Sequence, residues 1–373
     1  MTRSQARMQQ TLAALLTGTD IQINGDRPWD LQVHNPRFYR RVLGGGSLAL
    51  GESYMEQWWD CAALDQLVYR LLQAGINRKV ITLVDKMNAL LAMVINWQNK
   101  ARAFHIGEKH YNIGNDLYTK MLDKRMVYSC AYWKHAQTLD EAQEAKLELV
   151  CKKIALAPGM TVLDIGCGWG SFAKYAAERY QAEVVGMTVS TEQVALAREL
   201  CYGLPITILL QDYRAIQGQF DRIVTIGMLE HVGHKNYRLF FEIVQRALRD
   251  EGLLLVQTMG SNRTVFKGDP WIDTYIFPGG MIPSMRQLGT ATEQLFVMED
   301  WQNLGTDYAT TLLAWHKNFT THWPTLRETY DERFYRMWTY YLLSCAGLMQ
   351  ARGVHPWQIV FSKHRGITYH SIR

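Results

Sequence analysis

The chain has 373 residues, of which 48% are hydrophobic and 20% are charged, so its composition is that of a globular protein and excludes a disordered or fibrous one. Its 40 basic and 35 acidic residues give a formal net charge of +5, which suits an anionic surface but is too weak to argue for nucleic acid. The six cysteines form no CxxC pair, which argues against a disulfide framework or a metal site and favours a cytoplasmic location.

The pattern of the first 100 residues predicts neither a targeting signal nor a membrane span. Residues 1–17 contain only a short apolar run, 12–16, and no small-residue cleavage pattern, so we expect no signal peptide. The most apolar stretch, residues 87–97, is shorter than the roughly 20 residues that a spanning helix needs. Any lipid contact is therefore expected to be peripheral.

Helical patterns dominate the first 100 residues. Apolar residues recur at helical spacing in residues 63–74 and 80–97. Residues 20–33 alternate apolar positions around an Asn-Gly pair, which predicts a β-hairpin. The three glycines at 44–46 predict a turn or a hinge. We interpret residues 1–100 as a small, mainly helical accessory domain.

A different pattern begins after an amphipathic segment at residues 138–156. Short apolar runs predict strands, and the stretches between them predict helices. The strands are expected at 161–165, 183–187, 206–210, 220–226 and 253–258, and the helices near 170–180, 191–200 and 237–249. Such alternation is typical of an α/β protein with a doubly wound parallel sheet covered on both faces. Residues 261–373 are rich in aromatic residues and are expected to be less regular.

A glycine-rich turn gives the strongest local signal. The first strand of the predicted sheet ends in Asp164, and the chain then passes through Gly166, Gly168 and Gly170 into a helix. Glycines let a ligand approach the backbone closely, and ligands bind at the carboxyl ends of such strands. A dinucleotide loop is disfavoured, because the second strand ends without the acidic residue that would bind ribose.

The third predicted strand is followed by Asp212. An acid after strand one and another after strand three, with GxGxG between them, matches S-adenosylmethionine methyltransferases. In that interpretation Asp164 and the glycines lie by the methionine end of the cofactor, and Asp212 accepts a hydrogen bond from the adenine amino group. The alternatives are a structural tight turn and, for Asp212, a helix N-cap.

Five further segments resemble one family. They are residues 108–118, residues 128–133 (YSCAYW), residues 211–214, residues 229–233 and residues 269–280 (DPWIDTYIFPGG). Together they resemble the bacterial cyclopropane-fatty-acyl-phospholipid synthases, a mycolic acid cyclopropane synthase-like group of methyltransferases. The resemblance covers nearly the whole chain, and ordinary methyltransferases lack the SCAYW and DPWI..YIFP segments. It implies a Rossmann-like class I methyltransferase domain, here residues 101–373.

The resemblance also implies two sets of site residues. Contacts to S-adenosylmethionine are expected from Tyr128, Ser129, Val162, Leu163, Asp164, Ile165, Gly166, Cys167, Gly168, Trp169, Gly170, Thr188, Val189, Ser190, Thr191, Glu192, Gln193, Gln211 and Asp212. A catalytic bicarbonate ion is expected to be held by Cys130, Glu230, Gln257, Met259 (through its backbone) and Tyr308. The family usually has histidine at the position of Gln257, and an amide donates a hydrogen bond but carries no proton at neutral pH.

The implied chemistry explains why such an anion is needed. Attack of an alkene on the sulfonium methyl leaves a carbocation, and a base must then remove a proton from the new methyl group. Each residue also has a plainer interpretation from the sequence alone. Cys130 could be a small buried apolar residue, and Glu230 and His231 could be a helix-start acid and a core histidine.

The substrate that the resemblance implies is an unsaturated acyl chain of a membrane phospholipid. We therefore expect peripheral contact with the inner face of the membrane and a homodimer, and no nucleic acid. Candidate lipid-contacting segments are residues 78–102 and 271–283, although the first could equally pack on the protein itself. The competing hypotheses are a methyl-branched product, a small-molecule acceptor and a lipid-binding protein without activity.

Overall fold

A computed structural model describes residues 2–76, 114–363 and 368–373 of the chain. The predicted helix at 80–97, the apolar run at 87–97, the lipid-contact candidate at 78–102 and the domain boundary at residue 100 lie outside the described residues. The described residues form two compact units. The helical unit contains residues 2–76, 267–278 and 308–354, and the sheet unit contains residues 114–266, 279–307, 355–363 and 368–373.

The helical unit packs around large aromatic side chains. Its helices are Arg3–Leu15, Phe38–Met55, Leu64–Gln73, Pro270–Tyr275, Asp307–Leu326 and Glu332–Gln350. The first residue of the fifth helix, Asp307, belongs to the sheet unit. The Trp271 and Tyr340 rings are 4.6 Å apart, centroid to centroid. A Cβ atom added at Gly51 would lie 2.4 Å from the Trp271 ring, so only glycine fits there. Residues 267–278 and 308–354 thus supply much of the core of this unit.

The hairpin predicted for residues 20–33 is wrong. Leu31 returns to residues 22–24, since the Asn24 N–H donates to its carbonyl at 2.7 Å and its own N–H donates to the Gln22 carbonyl at 3.0 Å, but this is an isolated parallel bridge. Strand β1 (Gln32–Val33) instead pairs antiparallel with strand β2 (Trp59–Asp60). The buried Asp30 carboxylate explains the difference, because it accepts the backbone N–H groups of Gln22 at 2.7 Å and Arg27 at 3.0 Å and closes a side-chain-stabilised loop.

The glycine triplet at 44–46 lies within the helix Phe38–Met55. Gly46 breaks the helical backbone there, with φ 56° and ψ −138°. The predicted irregularity is therefore a break between two helical segments.

The sheet unit contains seven strands in the order β5-β4-β3-β6-β7-β9-β8. They are β3 (Thr161–Ile165), β4 (Glu183–Thr188), β5 (Ile206–Leu210), β6 (Phe220–Ile226), β7 (Leu248–Gly260), β8 (Val297–Asn303) and β9 (His355–Ser362). The five predicted strands are confirmed and run parallel. β9 pairs antiparallel with both β7 and β8.

Helices of the sheet unit follow the predicted alternation. They are Asn115–Met121, Leu139–Lys153, Ser171–Tyr180, Thr191–Leu200, Leu229–Val232, Tyr237–Ala247 and Met285–Thr292, with a 3₁₀ turn at Tyr213–Ala215. Residues 261–373 are more regular than expected, because they contribute two strands here and two long helices to the helical unit. The purely parallel sheet is therefore corrected to a mixed one.

Adjacent residues of β3 point to opposite faces of the sheet. Val162 belongs to one buried apolar cluster and Leu163 to another, as the two-residue repeat of a strand requires. Both faces are thus covered, and the carboxyl ends of the parallel strands are left to form a site. No helix in the described ranges is long and apolar enough to cross a membrane.

Candidate active site

The glycine turn after β3 is held against β4. The backbone N–H groups of Gly166 and Cys167 donate to the carbonyl oxygen of Met187 at 2.9 and 3.0 Å. Gly166, Gly168 and Gly170 have φ of +80°, +56° and +83°, a region that other residues rarely adopt. A Cβ atom at Gly168 would meet no described atom within 4 Å, so this part of the turn borders open space.

That space is a cavity in the sheet unit, at the carboxyl ends of the parallel strands. Thirteen of the predicted cofactor residues line it: Tyr128, Ser129, Asp164, Ile165, Gly166, Cys167, Gly168, Trp169, Thr188, Val189, Gln193, Gln211 and Asp212. The structure thus brings together residues at or just after the carboxyl ends of β3, β4 and β5 and two residues of a loop that precedes β3.

Six of the predicted cofactor residues do not line the cavity. Val162 and Leu163 are in the apolar clusters on the two faces of the sheet. Gly170 begins the next helix, and Ser190 caps the helix Thr191–Leu200 by accepting the backbone N–H of Gln193. Thr191 and Glu192 are exposed in the first turn of that helix. These six belong to the strand, the turn and the helix start beside the cavity and are not among the residues that line it.

Asp212 both caps a turn and lines the cavity, which are the two roles that the sequence indicated. Its Oδ1 accepts the backbone N–H of Arg214 at 2.9 Å and so caps the 3₁₀ turn Tyr213–Ala215, which was the plainer interpretation. It also lines the cavity, where the Arg214 guanidinium pairs with it at 3.0 Å. Capping and a role at the adenine end are therefore compatible.

An aromatic cluster contributes two rings, Tyr128 and Trp169, to the cavity wall. The Tyr118 ring lies 4.9 Å from the Trp169 ring and 5.2 Å from the Tyr128 ring. Trp169 Nε1 donates to the Asn115 side-chain oxygen at 3.1 Å. Asn115 and Tyr118 come from the family-like segment at 108–118, of which residues 108–113 lie outside the described range. The described part of that segment thus supports the glycine turn.

Several lining residues were missed by the sequence analysis, among them Lys146, Ser171, Arg214, Met228 and His231. The sequence contains a signal that could have identified Lys146. It falls on the apolar stripe of the helix Leu139–Lys153, where a charged residue is uncommon. Burial lowers the pKa of His231 to about 4, so its imidazole is neutral at physiological pH.

A second cluster brings together four of the five predicted catalytic residues. Gln257 is buried on β7, and its Nε2 donates to the carbonyl oxygen of Cys130 at 3.3 Å. Gln257 and Met259 are two residues apart on that strand and therefore lie on the same face. Burial raises the pKa of the Cys130 thiol well above its usual value, so Cys130 is a neutral thiol and not a nucleophile.

Glu230 completes this cluster. The backbone N–H of Met259 donates to its Oε1 at 2.6 Å. Two of the groups predicted to hold the anion are therefore hydrogen-bonded to each other. Its Oε2 is buried and has no hydrogen-bond partner among the described residues. Burial raises the pKa of Glu230, and the Met259 hydrogen bond opposes that rise. Buried polar atoms are nearly always hydrogen-bonded, so this oxygen is available to a ligand or a water molecule.

Tyr308 belongs to the helical unit, whereas the other four predicted catalytic residues belong to the sheet unit. It is the second residue of the helix Asp307–Leu326, and its ring lies 5.8 Å from that of Trp315. Its place in the catalytic pocket stays a prediction.

The cavity residues fit S-adenosylmethionine chemically. Asp164 Oδ2 is buried in the cavity wall without a hydrogen-bond partner in the described part of the chain, which suits an amino group. The glycine turn admits close approach to the backbone, and Asp212 offers an acceptor at the end of β5. Tyr128 and Trp169 add aromatic faces to the cavity wall, and such faces favour a cation.

Comparison with known proteins agrees with this geometry. The family model described as mycolic acid cyclopropane synthetase matches residues 98–359. The chain is 52% identical over 350 residues to the cyclopropane-fatty-acyl-phospholipid synthase of Escherichia coli K12, covering 94% of this chain and 92% of that protein. It is 35% identical to a probable fatty acid methyltransferase of Pseudomonas putida, over 70% of each chain.

Solved structures agree on the fold. The cyclopropane synthase MmaA2 from Mycobacterium tuberculosis superposes with a TM-score of 0.66 at 31% identity, over 70% of this chain and 98% of that one. The mycolic acid cyclopropane synthase CmaA1, solved with SAH and CTAB, gives a TM-score of 0.65 at 32% identity, again over 70% and 98%. The chain therefore belongs to the mycolic acid cyclopropane synthetase family and is an S-adenosylmethionine-dependent enzyme with a Rossmann-like methyltransferase fold.

Proposed function

We propose that this enzyme methylates the cis double bond of an unsaturated acyl chain in a membrane phospholipid and closes a cyclopropane ring. The observation that carries the proposal is the 52% identity, over 94% of the chain, to a cyclopropane-fatty-acyl-phospholipid synthase. The cavity after β3 and the buried cluster at Glu230 support the proposal as candidates for the two parts that this reaction requires, a cofactor site and a site for a base.

The reaction has two bond-forming stages. When bound, S-adenosylmethionine supplies an electrophilic methyl group. The alkene attacks it, so that a carbon–sulfur bond breaks, a carbon–carbon bond forms and a positive charge appears on the neighbouring acyl carbon. Loss of a proton from the new methyl group then lets its carbon close the ring, and S-adenosylhomocysteine remains. The protein must place the alkene, exclude water from the cation and accept that proton.

We assign the proton-accepting site to the cluster of Cys130, Glu230, Gln257 and Met259, holding a bicarbonate ion. The neutral Cys130 thiol and the neutral Gln257 amide leave no strong nucleophile there that the sulfonium could alkylate. Glu230 Oε2, buried and without a hydrogen-bond partner among the described residues, is placed to accept the O–H of bicarbonate. Bicarbonate would take the proton and leave as carbonic acid.

Glutamine in place of the usual histidine changes what this pocket can do. Gln257 Nε2 has two N–H groups, and the Cys130 carbonyl takes one of them. The other remains for an anion, so anion binding is retained without a titratable group at this position. Proton removal then depends on the bound base and not on a relay through residue 257.

Access to the substrate requires the enzyme to dock on a membrane. The formal charge of +5 favours an anionic bilayer surface, and peripheral contact is proposed together with a homodimer. Residues 271–283 remain a candidate for the acyl-chain entrance. Trp271 of that segment packs on Tyr340 in the helical unit, and the backbone N–H of Met281 donates to the Glu230 carbonyl at 2.8 Å in the sheet unit.

Product analysis tests the proposal. Purified protein is incubated with S-adenosylmethionine and vesicles of a monounsaturated phospholipid, with and without bicarbonate, and the lipids are analysed by mass spectrometry and NMR. We expect a gain of one CH₂ with loss of the alkene signal, stimulated by bicarbonate in the wild type and much less in Glu230→Gln. A retained alkene would indicate a methyl-branched product, and cofactor binding without conversion would indicate a lipid-binding protein. Either result would overturn the proposal.

A further inference from the structure

Lys146 is a buried charge in the wall of the cofactor cavity. Only 1% of its surface is exposed, and its Nζ donates to the hydroxyl oxygen of Ser129 at 3.1 Å. It forms no ion pair with any described residue. Burial of an ammonium group against a neutral hydroxyl is unfavourable unless an anion completes its shell. The burial is also reflected in the pKa of Lys146, which is lowered to about 8.

Asp164 presents the opposite charge to the same cavity. Its side chain is buried, and Oδ2 accepts no hydrogen bond from any group in the described ranges. Two buried carboxylates act on Lys146 electrostatically, first Asp123, whose oxygens accept the backbone N–H groups of Val127 and Arg125, and then Asp164, and Lys146 forms an ion pair with neither. The cavity therefore holds one positive and one negative group, both lacking a partner of opposite charge at hydrogen-bond distance.

The amino-acid end of the cofactor has the complementary pair of charges, an α-carboxylate and an α-ammonium on one carbon atom. We propose that Lys146, together with the Ser129 hydroxyl, binds the carboxylate of this end, while Asp164 binds its ammonium group. Lys146 is then a specificity-determining residue that selects S-adenosylmethionine over adenosine derivatives without the amino acid. The inference rests on the use of this cofactor and not on the lipid substrate.

A purely structural role for Lys146 is less consistent with its surroundings. Gln143, one turn earlier on the same helix, already fixes the loop backbone, because its Nε2 donates to the Ser129 carbonyl at 2.9 Å. A neutral residue at 146 could bond to the Ser129 hydroxyl equally well. Asp123 and Asp164 supply negative charge nearby, but neither forms an ion pair with Lys146, so a bound anion would complete the shell of its ammonium group.

Direct binding to three ligands tests this inference without an activity assay. The ligands are S-adenosylhomocysteine, its decarboxylated analogue and 5′-methylthioadenosine, which lacks the whole amino-acid group, and binding is measured by isothermal titration calorimetry. For Lys146→Met we expect the affinity for S-adenosylhomocysteine to fall about tenfold or more. The affinities for the other two ligands should be unchanged, and Lys146→Arg should retain much of the wild-type preference.

Two controls separate this role from a folding defect. Lys152→Met on the same helix removes an exposed lysine that pairs with Glu148, and it should bind all three ligands like the wild type. Wild-type protein itself should bind S-adenosylhomocysteine about tenfold or more tightly than the decarboxylated analogue. Equal wild-type affinities, or an equal loss of all three ligands in a folded Lys146→Met, would overturn the inference. Failure of the wild type to bind S-adenosylhomocysteine at all would overturn the cofactor assignment as well.

Discussion

Gln358 donates a hydrogen bond from its Nε2 to Oε1 of Gln257 at 2.9 Å, between directly paired residues of β9 and β7. Both side chains are buried, and Gln257 in turn donates to the Cys130 carbonyl. If the Gln257 amide were flipped, its nitrogen would face the Gln358 nitrogen and its oxygen would face the Cys130 carbonyl oxygen. Neither pair can form a hydrogen bond. Gln358 therefore fixes which way the amide at position 257 points.

Replacement of Gln358 by leucine should release that orientation. Oε1 of Gln257 would lose its donor, which costs about 1–3 kcal/mol in the free energy of unfolding. We expect urea denaturation to show this loss and kcat to fall several-fold, with the affinity for S-adenosylhomocysteine unchanged because neither glutamine lines the cofactor cavity. A variant with wild-type stability and kcat would contradict the positioning role.

Gly170→Ala should destabilise the protein for two separable reasons. Gly170 has φ of +83°, and an added Cβ would lie 2.8 Å from the Cys201 sulfur. Gly218→Ala is a matched control, since its φ is +86° and its Cβ would meet no described atom within 4 Å. The left-handed backbone costs about 1–2 kcal/mol at either position. Gly170→Ala should cost more in thermal or urea unfolding, and adding Cys201→Ala should recover the excess. Equal losses in the two single variants would show that the contact with Cys201 is unimportant.

Asp300 binds two cations inside the sheet unit. Lys153 has no exposed side-chain surface and its Nζ lies 2.9 Å from Oδ2, while Arg373 approaches the same carboxylate at 2.6 Å. Asp300→Asn leaves the Lys153 ammonium buried without its counter-ion, so we expect a loss of about 3–5 kcal/mol in the free energy of unfolding. The exposed pair of Arg238 and Glu242 is the control, and its loss should cost less than about 1 kcal/mol. A small effect of Asp300→Asn would contradict this account.

Affinity for S-adenosylhomocysteine should depend on the ionisation of Asp164. Burial raises the pKa of Asp164 to about 7, and the nearby charge of Lys146 opposes the rise. Cys167 and Cys201 also face Asp164 electrostatically, and burial raises the pKa of both thiols, so they stay neutral. Because the ligand's ammonium requires the carboxylate form, affinity should fall as the pH drops below about 7, by at most tenfold per pH unit.

Calorimetric titrations between about pH 5.5 and 7.5 measure this dependence. Asp164→Asn should bind more weakly and lose the slope in that range, whereas 5′-methylthioadenosine should show no slope with either protein. A slope that persists in Asp164→Asn would assign the titration to another group.

The parallel strands were predictable because each is a short apolar run between turn residues. β3, β5 and β6 have the bounds that the sequence indicates. β8 and β9 were missed, since β9 is buried along its whole length and β8 alternates weakly in a region dominated by aromatic residues. The hairpin prediction at 20–33 was wrong because the Asp30 carboxylate closes a loop between the two segments, which leaves a single bridge between Ile23 and Leu31.

The site was predictable in part for the same physical reasons. Glycines and acids at strand ends have local sequence signatures, and those residues line the cavity. The relationship between Gln257 and Gln358 joins residues 101 positions apart, and no local pattern encodes it. Lys146 was predictable in part. A lysine on the apolar stripe of a helix indicates an unusual position, but the sequence does not show which group it contacts.

The most direct test of the central claim uses S-adenosylmethionine with three deuterons on its methyl group and a monounsaturated phospholipid. Ring closure by proton removal from the transferred methyl predicts a product that retains two of the three deuterons and has no alkene, detected by mass spectrometry and NMR of the isolated lipid. A product that retains all three deuterons would contradict cyclopropane formation, because its proton would have been lost from the acyl chain.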